Sequence, residues 1–262
     1  MLPRKFKEEV TMSETDELLK NRIRELADKS YRENRYTYTN FLSLAEISVY
    51  HEIEREVSFS VPSLFGGHSD CERMVLRFGS VDNLGYDEEF PITCLKIAPL
   101  MDKFSDDLSH RDFLGALMNL GIEREVLGDI FVEKNSAYLF CLDSMVDYII
   151  ENLTRVRHTS VLITKVDGPS TLTPSEGVIK NVQIASERID GVIARVYNMS
   201  RTQVNEHFPQ KKVFVNGRVT ENNSQILKAG DKVTLRGYGK FDYIGPKGTT
   251  RKGKLAADVK VY

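Results

Sequence analysis

Val213-Phe214-Val215-Asn216-Gly217-Arg218-Val219 is the stretch from which the fold of the chain's last third is read. Two short apolar runs flank an Asn-Gly pair. A type I′ turn needs positive φ at both central residues, and Asn-Gly supplies them most readily, so the stretch predicts a tight β-hairpin. Working upstream, Ser200-Arg201-Thr202-Gln203 has the capping-box pattern, with Ser at the cap and Gln three later. It opens a short helix that Phe208-Pro209 closes. Before it, Glu187 to Tyr197 reads as a helix burying Ile189, Val192, Ile193 and Val196. Downstream, Gly230-Asp231 turns into the alternating strand Lys232–Arg236. Phe241 to Tyr262 reads as a last hairpin around Arg251-Lys252-Gly253-Lys254.

Charge separates this segment from the rest. Residues 186–262 hold 15 Lys and Arg against 7 Asp and Glu, a balance of +8. The whole chain carries −2, so the first 185 residues carry −10. A basic segment on an acidic body points to a polyanion partner. The cations also cluster at element ends: Arg188 and Arg201 at helix starts, Lys211 and Lys212 before a strand, Arg218 after the hairpin turn. A helix start offers unpaired amides and partial positive charge, and an arginine beside it adds a two-pronged donor. Such an edge reads phosphate rather than base identity. The expected RNA-contacting set is Arg188, Arg195, Ser200, Arg201, Thr202, Gln203, Lys211, Lys212, Asn216, Arg218, Arg236, Lys240, Arg251, Lys252 and Lys254.

Further upstream, residues 13–56 read as two helices, with Leu19, Ile23, Leu26 and Ala27 at helical spacing in the first. The segment 31–38 reads as a polar, aromatic break, with Thr39 or Asn40 capping the second helix, which carries Phe41, Leu44 and Ile47. Residues 60–67, punctuated by Pro62 and the Gly66-Gly67 pair, read as a boundary. The middle then runs strand 92–98, a Ser109-capped helix stopped at Gly121, strands 127–133 and 138–142, a helix from Asp143, and strand 159–166. That order is β-α-β-β-α-β, the ferredoxin-like arrangement; Met74–Phe78 is expected to add a strand before it. The fold class is thus α+β. The expected domains are an N-terminal helical unit (1–72), the ferredoxin-like domain (73–167), a linker (168–185) and the basic module (186–262).

Several functions lack their residues. Apolar runs fall short of the roughly 20 residues a membrane helix needs, and Met1-Leu2-Pro3-Arg4-Lys5 leads into charge rather than a secretory signal. Cys71, Cys94 and Cys141 are scattered without a CxxC pair, so neither a zinc site nor a disulfide framework is expected. A reduced, cytoplasmic, monomeric protein without cofactor or metal is the expectation. His110-Arg111-Asp112 resembles a catalytic tripeptide, but it opens an amphipathic helix without a glycine-rich nucleotide loop, so capping explains it. Tyr138 and Phe140 share a strand face where an RNA-recognition motif would stack bases. The first strand lacks aromatics, and core packing is the favoured role.

Taken together, Arg188-Ile189-Asp190, Ser200-Arg201, Val213–Gly217 and Gly230-Asp231-Lys232-Val233 match in order the S-four domain, the RNA-binding module named after small-subunit ribosomal protein S-four. Pro209-Gln210-Lys211-Lys212 departs from it where a glycine usually precedes the strand. Thr39-Asn40-Phe41-Leu42, Gly66-Gly67 with Glu72-Arg73, residues 110–117, Leu127-Gly128-Asp129-Ile130, and Arg236-Gly237-Tyr238-Gly239-Lys240-Phe241 resemble the YlmH family of bacterial S-four proteins. The resemblance implies binding to structured RNA, ribosomal or transfer RNA, on a large ribosomal subunit carrying obstructed peptidyl-tRNA. It further implies a part in quality control of stalled translation, with a gene neighbourhood linked to cell division. The alternative is an RNA-modifying enzyme of pseudouridine-synthase type, targeted by its S-four domain. Its aspartate motif has no copy here apart from Arg188-Ile189-Asp190, which the S-four pattern itself uses.

Overall fold

Apolar alternation along short strands builds this α+β chain. The computed structural model describes residues 4–101, 107–134, 136–168, 177–249 and 253–262, with side chains from Glu14 onward. The chain divides into two compact units, Met1–Pro174 and Ser175–Tyr262.

The first unit begins with α1 (Arg4–Glu33), which buries Ile23, Leu26 and Ala27. β1 (Thr37–Leu42) follows, then α2 (Leu44–Ile53). Of the residues expected to break and cap the helix pair, 31–33 thus end α1, 34–36 turn the chain, and Thr37, Tyr38, Thr39 and Asn40 are strand. Their threonines are buried and serve the backbone: Thr37 Oγ1 donates to the Leu26 carbonyl at 2.8 Å, and Thr39 Oγ1 accepts from Leu76 N–H at 3.0 Å. The α2 cap is Ser43, whose N–H and hydroxyl both donate to the Glu46 carboxylate at 2.7 Å. β2 (Pro62–Phe65) and β3 (Met74–Phe78) complete an antiparallel sheet in the order β1-β3-β2. The N-terminal region is thus not purely helical. Met74–Phe78 belongs to this sheet rather than to the next one, which removes the expected boundary at residue 72.

After the short α3 (Val81–Leu84), the chain runs β4 (Ile92–Pro99), α4 (His110–Asn119), β5 (Leu127–Glu133), β6 (Ser136–Leu142), α5 (Val146–Asn152), β7 (Arg155–Val156) and β8 (Thr159–Val166). The sheet order is β5-β6-β4-β8-β7, antiparallel throughout. Central β6 is buried on both faces. Ala137, Leu139 and Cys141 meet Phe113, Leu117 and Ile149 from the helices. Tyr138 and Phe140 face the other way, against Phe41, Cys71 and Val75 of the first sheet. A bulge in β1 between Tyr38 and Phe41 turns both toward this second core, while Leu42 joins the core under α1 and α2. The result is helices, sheet, sheet, helices.

Several residues of the sequence motifs hold the two sheets together. A Cβ on Gly67 (φ +96°) would overlap the Phe140 ring, and one on Gly128 would come within 2.8 Å of Phe41. Asp129 Oδ2 accepts from the N–H groups of Glu72 and Arg73 at 2.6 and 2.9 Å. Arg73 donates in turn to the carbonyls of Phe41, Arg124 and Leu127. Gly66-Gly67 is accordingly a packing device inside the unit, not a boundary.

The second unit contains β9 (Val178–Ile184), α6 (Ile189–Val196), α7 (Arg201–Asn205), β10 (Val213–Val215), β11 (Arg218–Val219), β12 (Lys232–Leu235), β13 (Gly239–Thr249) and β14 (Leu255–Val261). Its sheet order is β11-β10-β12-β13-β14-β9. Much of the expected linker is thus strand. β9 pairs with β14 from Ile184↔Leu255 to Val178↔Val261, burying Val182 and Ile184 beneath α6. Residues 169–176 of that expected linker lie outside the described residues. Asn216 (φ +51°) and Gly217 (φ +77°) close the β10–β11 hairpin.

Candidate nucleic-acid interface

The β14–β9 register decides which basic residues meet. Because Leu255 pairs with Ile184, Lys254 falls beside the end of β9. There α6 and the start of α7 complete a cleft of about 300 Å³, lined by Gln183–Ala185, Gly191, Ala194, Arg195, Met199, Ser200, Arg201 and Lys254. Gln183, Arg195 and Lys254 also line an adjoining hollow of about 220 Å³ with Asn181 and Val182. Arg195, Arg201 and Lys254 are all exposed. The Arg201 guanidinium lies across Gly191, where a Cβ would stand 2.7 Å from its Nη2, so that glycine lets the arginine lie flat on α6. Arg195 sits in the last turn of α6, where a cation also complements the helix dipole. Cations from three elements thus converge on one concave surface, which suits a phosphate run.

The other predicted residues have different surroundings. Ser200 and Gln203 close the α7 cap on each other: Ser200 N–H and hydroxyl donate to Gln203 Oε1 at 2.9 and 3.0 Å, and Gln203 N–H donates to Ser200 Oγ at 3.2 Å. Their polar atoms position Arg201 and Thr202. Arg188 is committed within its own turn, forking Asp190 at 3.2 and 3.1 Å. Asp190 is buried and also accepts from Gly191 N–H at 2.7 Å. A buried carboxylate without a partner is costly, so this arginine serves the fold first. Asn216 is turn chemistry: its amide donates to Asp231 at 2.9 Å and its oxygen accepts from Lys232 N–H at 2.9 Å.

Lys211, Lys212, Arg218, Arg236 and Lys240 do not line the cleft. Lys212 and Arg236 neighbour each other across the sheet, through Arg236 N–H donating to the Lys212 carbonyl at 2.9 Å. Lys240 Nζ lies 5.8 Å from the Tyr262 ring centre. Exposed Tyr238 stands beside them, its ring 5.3 Å from His207. Arg251 and Lys252 lie outside the described residues.

In the first unit, burial of Tyr138 and Phe140 closes the central sheet face on which bases would stack. Ser109 opens α4 as expected, its N–H and hydroxyl donating to Asp112 at 2.9 and 2.6 Å. Burial lowers the His110 pKa, and Arg124 adds to the effect, so the imidazole is neutral at pH 7. The cysteines are free and buried, and burial pushes the Cys94 and Cys141 thiols up to about 12. Among the described residues, no cluster of His, Cys, Asp and Glu could hold a metal, and no helix is long and apolar enough to cross a membrane.

Residues 86–169 match the family model described as "Putative RNA-binding domain in YlmH". Among curated proteins, "Ribosome-associated protein quality control protein P2" of Bacillus subtilis (strain 168) is 31% identical over 154 residues, 58% of this chain and 60% of that protein. The chain therefore spans about 60% of the length of the relative it matches. Among solved structures, "Cell division protein ylmH from Streptococcus pneumoniae" superposes with a TM-score of 0.46 at 20% identity, over 58% of this chain and 91% of that one.

Proposed function

We propose that the chain is a YlmH-family, ribosome-associated RNA-binding protein whose second unit, an S-four domain, grips the phosphate backbone of structured RNA. The observation that carries this is the convergence of Arg195, Arg201 and Lys254 on one cleft. The family match over residues 86–169 and the ribosome-associated relative support the RNA and the ribosome as targets. Arginine forks and a lysine point charge bind phosphate oxygens without reading bases, so recognition follows RNA shape. The reading extends to a cytoplasmic, non-catalytic monomer that binds large subunits holding obstructed peptidyl-tRNA, in quality control of stalled translation. Within it, the first unit is a separate double-sheet body that adds contacts of its own.

Sedimentation tests it. Tagged protein should travel with large subunits, more so when translation is stalled, and Arg195→Ala/Arg201→Ala/Lys254→Ala should leave that fraction. Undiminished travel of the substituted protein would remove the site. Modified uridines after incubation with ribosomal RNA would favour the enzyme reading.

A further inference from the structure

We infer that the first unit carries a second phosphate-binding cleft, between α4 and the β7–β8 hairpin, which takes the backbone of the same RNA. This inference rests on the RNA-binding reading above and adds a site to it. The cleft measures about 490 Å³, and Arg111, Arg155 and Arg157 line it with Asn119, Asn152 and Gly115. All three arginines are exposed. The carboxylate at its wall, Asp112, already accepts twice from Ser109 and lies 3.7 Å from Arg157. The described lining residues therefore carry net positive charge within a unit that is acidic as a whole. Guanidinium forks supply paired donors for phosphate oxygens, although Arg155 Nη2 also donates to the His158 carbonyl at 3.2 Å. Asn119 supplies further donors for ribose or phosphate, while the Asn152 amide already donates to the Tyr148 carbonyl at 2.8 Å.

Two details have no explanation in the fold alone. Gly115 sits inside α4, where glycine weakens a helix, yet a Cβ there would meet nothing within 4 Å. Neither a turn nor close packing requires it, and its lack of a side chain leaves the cleft floor open. Arg157 takes φ +53° in the two-residue turn between β7 and β8, a position that glycine or asparagine fills with less strain. That backbone carries the Arg157 guanidinium to the cleft wall beside Asp112. The match to an RNA-binding family model covers all of these residues. With Tyr138 and Phe140 buried, base stacking on the central sheet face is closed, so a backbone-reading cleft is the route this segment offers.

The test is co-sedimentation of the full chain with purified bacterial large ribosomal subunits across a salt series. Arg111→Ala/Arg155→Ala/Arg157→Ala should lower the slope of log affinity against log salt by about 2–3. Gly115→Gln, which places a helix-favouring side chain in the cleft, should weaken binding about tenfold or more without lowering the melting temperature. The Arg195→Ala/Arg201→Ala/Lys254→Ala protein is the parallel arm. If it binds weakly while both first-unit variants bind like the parent, the second cleft is refuted and the RNA-binding reading stands. If all three bind like the parent, both fall.

Discussion

Removing Arg195, Arg201 and Lys254 together should flatten the salt dependence of RNA binding by a calculable amount. Each cation that neutralises one duplex phosphate releases counterions worth about 0.9 in the slope of log K against log salt, or about 0.7 on a single strand. The three line one cleft, so their joint loss should reduce the slope by about 2–2.7. Between about 50 and 200 mM salt, the affinity gap between parent and triple variant should then narrow by about 15–40-fold. The fold should survive, since all three side chains are exposed and Arg195 lies on a helix that accepts alanine. Fluorescence anisotropy with a labelled ribosomal RNA fragment reads the slope, and circular dichroism checks the fold. Each single variant should lose about 0.7–0.9 of slope. Parallel lines for parent and triple variant, with fold intact, would show that these cations touch no phosphate.

Other predictions concern the architecture. A fragment starting at residue 186 lacks β9 and exposes the groups packed against Val182 and Ile184, two side chains worth about 1.5–3 kcal/mol each. It should be at least about 3 kcal/mol less stable to urea than fragment 177–262, and equal midpoints would refute the role given to β9. Gly67→Ala should destabilise the chain by about 2–5 kcal/mol through strain and collision with Phe140, whereas Gly85→Ala, with open space around it, should cost about 1 kcal/mol. Equal losses in urea titrations would place the sheet contact elsewhere. Lys247 first, then Asn181, hold the buried Asp258 carboxyl below its ordinary range. Its contribution is full above the unfolded pKa, about 3.9, and is lost as pH falls through the lower folded value. Thermal midpoints should therefore decline less in acid for Asp258→Asn than for the parent, and an unchanged acid slope would contradict the pairing.

The parts legible in the sequence are those whose signals are local. Asn216-Gly217, the capping boxes at Ser109 and Ser200, and the apolar rhythm of residues 92–166 each fix conformation within a few residues. β1 escaped because Thr37 and Thr39 look like surface residues, while burial with backbone partners makes them core. The spacing of Phe41, Leu44 and Ile47 also imitates a helix across the β1–α2 junction. β9 escaped behind a stretch rich in Gly, Pro, Ser and Thr, although Val182 and Ile184 alternate inward.

The site was half visible for the same reason. Arg201 is marked by its cap, but only the β9–β14 register brings Lys254 to Arg195 and Arg201. Arg188's commitment to Asp190 is a short-range pair that its spacing already allows. Arg157 carries no sequence signal, since its oddity exists only against a folded neighbourhood, whereas Gly115 stands in the sequence as a glycine inside the expected helix and only the fold shows the open space around it.

Crosslinking of the full chain to ribosomal RNA, with the attached peptides identified by mass spectrometry, tests the central claim most directly. Crosslinks should fall on residues 183–201 and at Lys254, the walls of the second unit's cleft. Crosslinks confined to the first unit, with none in residues 177–262, would contradict it.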